Sequence, residues 1–194
     1  MSMDLLFIIL GYTFIGGALK YIDQVYDEHI FNKDVAYVLS VFAGIALGLL
    51  ITFDTPYSTS FFIAMILGLI VTKKIDTVPF ALGTFLGFGI PLFFIFTYSA
   101  VVVIDLLAVF LFGFTSFLDE ISDHFAETGK LHGFLGRVFR FRPWMWVGAF
   151  ILFAFNKFLW YHLIGFLGFT VAYLFVEWYS YKLKEGKHIA KRET

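Results

Sequence analysis

The sequence predicts an all-α integral membrane protein with seven transmembrane helices. Three observations carry that expectation: an apolar composition, a succession of long apolar runs, and basic residues gathered on alternate connections. Of 194 residues, 60% are hydrophobic and only 15% charged, with a mean hydropathy of +0.84. Soluble domains hold about 45–50% apolar residues. The 28 Phe and 10 Tyr suit lipid-facing bulk and interfacial anchoring. The absence of Cys excludes disulfides, a thiolate nucleophile and a Cys-ligated metal. A net charge of −1 excludes bulk attraction to nucleic acid.

The first run, Leu5–Ile22, follows Met1-Ser2-Met3-Asp4, which lacks the basic region of a cleaved signal peptide, and is read as a retained helix. Val35–Phe53 is the second, Ser58–Thr72 a short third and Val78–Phe96 the fourth. Pro79 suits the first turn of that fourth helix, whereas Pro91 in its interior predicts a kink. Ser99–Leu118 is the fifth, divided from the fourth only by Thr97-Tyr98-Ser99. Pro143–Phe158 is a short sixth and Trp160–Tyr179 the seventh. Between the fifth and sixth, Leu131, Phe134, Leu135 and Val138 recur at i, i+3, i+4, i+7, which predicts a short interfacial amphipathic helix within Leu131–Arg142. Gly16–Gly17, Gly44–Gly48 and Gly83, Gly87 and Gly89 read as places of close helix packing. Residues 1–181 form one membrane domain and 182–194 a polar tail.

Charge placement supports the count of seven. One side receives Lys20, Lys33, Lys73, Lys74, Lys130, Arg137, Arg140, Arg142 and the basic tail, while the other receives Lys157 and little else. This asymmetry puts the N-terminus outside, the C-terminus in the cytoplasm and the chain in the cell membrane as a multi-pass protein. Superposing Asp23 on Asp119 suggests an internal repeat, about 5–72 and about 99–179, joined by a linker helix at about 78–96. A single connecting helix restores the orientation of a three-helix unit, so the 3+1+3 repeats would be parallel.

Asp23 and Asp27 follow the first run, and Asp119 and Asp123 follow the fifth, each pair at i, i+4. That spacing sets two carboxylates on one helix face, with about 5–6 Å between Cβ atoms. Glu127 extends the second series by another such step, and three like charges in a row call for a compensating cation or a segment that is not helical. Mg²⁺ is typically held by one or two carboxylates together with substrate phosphate oxygens. Lys73, Lys74, Lys130, Arg137 and Arg140 lie on the same side and suit a diphosphate. The plainer readings are a solvated membrane edge for the acids and topology determinants beside anionic headgroups for the bases. Asp105, inside the fifth apolar run, is a costly intramembrane carboxylate, with Lys157 and His162 as candidate partners in an ion pair or helix contact.

The arrangement resembles the UbiA superfamily of intramembrane prenyltransferases, in which two Asp-rich motifs lie on cytoplasmic segments four helices apart. Asp23 and Asp27 match the first motif; Asp119, Asp123 and, conservatively, Glu127 match the second. Leu19 stands where the first motif has Asn, and the chain has fewer helices than the family's eight or nine. The resemblance implies Mg²⁺-assisted ionisation of a polyprenyl diphosphate, with the tail in a Phe-lined groove and transfer to an acceptor that the sequence leaves open. The alternatives from other classes are a cation-coupled small-solute transporter or cation channel built from the two repeats, and a non-catalytic membrane scaffold.

Overall fold

A computed structural model describes residues 4–71, 75–127, 138 and 143–190, with side chains except at 123, 124, 126, 127 and 186–190. The described residues form seven helices and no strand: α1 (Leu5–Asp27), α2 (Lys33–Phe53), α3 (Pro56–Val71), α4 (Val78–Tyr98), α5 (Leu106–Glu127), α6 (Pro143–Ala154) and α7 (Trp160–Ala190). Within these, α1, α2, α4 and residues 160–185 of α7 are long and apolar enough to cross a membrane. With 16 and 12 residues, α3 and α6 reach only about 24 and 18 Å at 1.5 Å per residue. Each falls short of a hydrocarbon layer about 30 Å thick.

Local chemistry sets the boundaries. Asp4 caps α1 by accepting the Leu6 N–H at 3.0 Å, and Asn32 caps α2 by accepting the Asp34 N–H at 2.7 Å. Pro79 sits in the first turn of α4, where a missing N–H costs no helical bond. Among the described residues three non-glycines adopt positive φ, and all follow helix ends: His29 after α1, Ser99 after α4 and Asn156 after α6.

Several expected boundaries move. The first span continues to Asp27, which puts Asp23 on a helix. The expected Ser99–Leu118 span begins its helix only at Leu106. Residues 99–105 are not helical, in keeping with the β-branched run Val101–Ile104 and with Asp105, which accepts the Ala108 N–H as a cap. The sixth helix ends at Ala154 rather than Phe158, since the Lys157 and Phe158 N–H groups turn back to the Leu152 carbonyl. The seventh runs through the expected tail to Ala190, whose Lys-Leu-Lys-Glu stretch favours helix. Apart from Val138, the expected amphipathic helix at 131–142 lies outside the described residues.

The contacts define the helix directions. Tyr12 meets Gly165 and Gly16 meets Phe169, so α1 and α7 run parallel; Leu47 meets Gly87 and Gly48 meets Ile90, so α2 and α4 do too. Phe61 faces Phe112, and Ser60 accepts the Asp105 N–H, which aligns α3 with α5. Gly11 against Leu50 with Ile22 clustered with Ala36, and Gly148 against Thr115 with Trp144 bonded to Asp119, make α1/α2 and α5/α6 antiparallel. Odd-numbered helices thus end where Asp23 and Glu120 lie, here termed the acidic end.

The glycine expectation holds at the α1/α7 and α2/α4 seams. A Cβ at Gly16 would lie 2.3 Å from the Phe169 carbonyl oxygen, and one at Gly44 would lie 2.7 Å from that of Gly83. Gly89 differs, because a Cβ there meets nothing within 4 Å. The aromatics divide between surface and core. Phe85 and Phe96 point outward, whereas Phe61 is fully buried among Tyr12, Phe112 and Phe166 at centroid distances of 5.5, 5.0 and 5.4 Å. These rings tie α1, α3, α5 and α7 together.

Candidate functional site

A cavity of about 270 Å³ opens between α1, α3, α5 and α7, with Phe80 of α4 and Met145 of α6 on its walls. The α5 contribution is Val109, Gly113, Ser116, Phe117 and Glu120, a stripe at i, i+4, i+7, i+8 and i+11 along one helix face. Deeper walls are apolar, including Ala64, Met65 and Phe166, while Asp23 and Glu120 carry charge toward the acidic end. One carboxylate from each acidic segment therefore lines a single cavity.

The described acids take different places. Asp23 Oδ2 pairs with Lys20 Nζ at 3.0 Å, and the same ammonium reaches Glu177 Oε1 of α7 at 3.3 Å and lies 5.0 Å from the Tyr173 ring centroid. Lys20 is only 7% exposed, so three oppositely polarised partners offset its burial. Asp27 is exposed, one turn further on. Gln24 meets Ser180 at 2.9 Å, and Glu28 pairs with Lys184. A polar ladder thus continues the α1/α7 seam beyond its glycines.

Asp119 points elsewhere. It is 1% exposed, and its Oδ1 and Oδ2 accept the Trp144 and Met145 N–H groups at 2.9 and 2.8 Å. With Pro143 at the first helical position, these are the second- and third-residue donors that an N-cap satisfies. Asp119 therefore caps α6 from a neighbouring helix, and Ser122 supports it by accepting the Trp144 indole N–H at 3.0 Å. Glu120, not Asp119, faces the cavity. The side chains of Asp123 and Glu127, and residues Lys73, Lys74, Lys130, Arg137, Arg140 and Arg142, lie outside the described part.

Asp119→Ala is expected to cost about 1–2 kcal/mol of thermal stability. Asp119→Asn keeps one acceptor but turns an amide N–H toward the second donor, so it should be destabilised as well, and direct titration of that variant in its folded form should show ligand binding at the cavity intact. Loss of binding at an unchanged melting temperature would give Asp119 a role in the site as well.

The opposite end holds a separate buried network that sequence reading did not assemble. His162, fully buried, accepts the Leu159 N–H at Nδ1 (3.2 Å), which leaves Nε2 to donate to Asp54 Oδ2 at 3.1 Å. Tyr12 and Ser58 share a hydrogen bond of 2.6 Å nearby. Asp105 stands outside the helices as the α5 cap and pairs with Lys157 at 3.3 Å. Lys157 is the partner expected for it, whereas His162 belongs to Asp54. Only the Asp54-Thr55-Pro56 turn hinted at a cap or turn role there, and nothing local links it to a histidine 108 residues away.

The Ala108 N–H holds the Asp105 carboxyl below its ordinary value of 3.8; burial opposes this and Lys157 adds to it. A depressed folded value means stability that is present above the ordinary value and lost as pH falls below it. Acid melting scans below about pH 4 should therefore show a shallower loss for Asp105→Asn than for the unaltered chain, and identical slopes would contradict the pairing.

Among the described residues no three His, Cys, Asp or Glu side chains cluster closely enough to hold a metal by themselves. Asp23 and Glu120 supply oxygen donors of the type that Mg²⁺ takes alongside waters and substrate phosphate. No family model, curated protein or solved structure matches the chain. The fold and the site themselves define its class: an all-helical protein, with helices apolar enough to cross a membrane, holding an apolar cavity with acids on its lining.

Proposed function

We propose that the chain is a multi-pass protein of the cell membrane that binds an isoprenoid diphosphate at its cytoplasmic face and transfers the prenyl group, with Mg²⁺, to an acceptor. The observation that carries this reading is the pairing of Asp23 and Glu120, from two distant acidic segments, on one cavity whose depth is apolar. Such a site suits an amphiphile with an anionic head and a hydrocarbon tail. Alternating helix directions support seven spans, with α3 and α6 as short ones. Exchanging α1-α2-α3 with α5-α6-α7 carries the parallel α1/α7 pair onto α5/α3 and the antiparallel α1/α2 pair onto α5/α6, which supports the 3+1+3 repeat. Lys20, Lys33, Lys182 and Lys184 at the acidic end support a cytoplasmic orientation.

When bound, Mg²⁺ would offset charge on the departing diphosphate. Asp23 and Glu120 would hold the ion's ligand sphere at the mouth, and Lys20, held by Asp23 and Glu177, would keep the Asp23 carboxylate oriented. The apolar walls would exclude water from the allylic carbon. There the C–O bond breaks with its electron pair leaving on diphosphate, and the acceptor's lone pair forms the new bond as the acceptor loses a proton.

Calorimetric titration of the purified protein with the ten-carbon prenyl diphosphate tests this. Binding should require MgCl₂, vanish in EDTA, and weaken at least about tenfold, or about 1.4 kcal/mol, in both Asp23→Ala and Glu120→Ala. Equal affinity in the two variants and the unaltered protein would refute the metal role.

A further inference from the structure

The hydroxyls in and around the main cavity follow one pattern, with an exception. Thr115, Ser122 and Thr170 each donate to the carbonyl four residues back, at 2.9, 2.8 and 2.9 Å, a common arrangement for a hydroxyl inside a helix. Ser116 lines the cavity from α5, yet among the described residues its Oγ makes no hydrogen bond. The reason is local. Its acceptor would be the Phe112 carbonyl, which already takes the Ser116 N–H within the helix and the Thr115 Oγ1 at 3.2 Å. Those two bonds use both lone pairs of that oxygen. Across from it α3 presents Gly68, where an added Cβ would lie 3.7 Å from the Ser116 Oγ. Gly68 also lines the cavity and puts no side chain over the hydroxyl.

A hydroxyl left unpaired in an apolar cavity is a group that can orient a ligand. Ser116 lies one turn before Glu120, about 6 Å deeper along α5, so it meets a ligand atom below whatever the two carboxylates hold at the mouth. Asp23 and Glu120 are the charged groups on the lining, and no described lining residue is a Lys, Arg or His. A neutral hydroxyl suits such a place, whereas a buried carboxylate would find no described cation to offset it. We propose that Ser116 recognises the hydroxyl of a neutral, largely apolar alcohol bound in this cavity. In the prenyl-transfer reading, on which the acceptor role rests, that alcohol is the acceptor and Ser116 determines its class.

The test titrates octyl alcohol, octyl fluoride and octanoate, in EDTA, into the purified protein and into Ser116→Ala. Fluorine replaces the hydroxyl at nearly equal size and donates no hydrogen bond. Comparing the same pair of ligands in both proteins cancels their different transfer from water. The alcohol-to-fluoride affinity ratio should fall about five- to tenfold in Ser116→Ala, as loss of one hydrogen bond requires. Retained binding of the fluoride reports that the cavity of the variant is intact. Ser116→Cys, whose thiol bonds weakly, should fall between. Octanoate should bind the unaltered protein more weakly than the alcohol. An affinity ratio that Ser116→Ala leaves unchanged, or octanoate bound as tightly as the alcohol, would overturn the proposal. A Ser116-dependent ratio without magnesium-dependent binding of prenyl diphosphates would support the hydroxyl site and sink the prenyl-transfer reading. Magnesium-dependent diphosphate binding with an unchanged ratio would overturn the role of Ser116 and leave prenyl transfer standing.

Discussion

Gly113→Leu is expected to weaken ligand binding strongly while leaving the bundle folded. Gly113 sits in the middle of the α5 stripe that lines the cavity, between Val109 and Phe117, and a Cβ built there meets nothing within 4 Å. A glycine in a helix interior costs about 0.5–1 kcal/mol relative to alanine, so a side chain at this position favours the helix rather than straining it. A leucine would occupy space that the ligand needs. Forcing a ligand past added bulk in a packed site costs about 1–3 kcal/mol, equivalent to about 5- to 150-fold in affinity. Titration should therefore show that loss for Gly113→Leu and a smaller one for Gly113→Ala, with melting temperatures at or above that of the unaltered protein. Undiminished affinity in Gly113→Leu would mean that ligands bind somewhere other than this cavity.

The largest stability effect is expected at Gly16. A Cβ there would sit 2.3 Å from the Phe169 carbonyl oxygen and 2.8 Å from its Cα and carbonyl carbon. All three are backbone atoms of α7, so no rotamer change relieves the clash and the two helices have to separate. Separation also strains the pairs that continue the seam, Lys20 with Glu177, Gln24 with Ser180 and Glu28 with Lys184. Gly16→Ala should cost about 3 kcal/mol or more, at the upper end for overpacking, which lowers the melting temperature by about 6–12 °C for a chain of this size. Gly89→Ala supplies the control. Its Cβ meets only open space, so it should be neutral or slightly stabilising. Melting of Gly16→Ala within about 2 °C of the unaltered protein, a shift of under about 1 kcal/mol, would contradict the close packing of α1 on α7.

The contrast between these glycines marks how far the sequence could be read. Apolar runs located the helices, and closely spaced glycines marked one face of each parallel seam, because these are local signals. Which helices share a seam is not local: Gly16 and Phe169 are far apart in the chain. The same holds for the charges. An i, i+4 rule grouped Asp119 with Asp123, but on α5 Asp119 belongs with Thr115 and Ser122, the face turned to Gly148 and Trp144 of α6. Glu120, one residue and about 100° further around the helix, shares the face of Gly113, Ser116 and Phe117. Only knowledge of where α6 packs separates a capping carboxylate from one that lines a cavity. Lys20 posed a similar problem, because a lysine near an acidic pair reads as a topology signal until Glu177 arrives from the far end of the chain.

The most direct test is a structure of the protein with Mn²⁺ and a non-hydrolysable ten-carbon prenyl diphosphate analogue. Anomalous density is expected at the cavity between Asp23 and Glu120, with the analogue's tail reaching toward Ala64 and Phe166. An empty cavity with the analogue bound elsewhere on the bundle, or a Mn²⁺ peak remote from both carboxylates, would contradict the account.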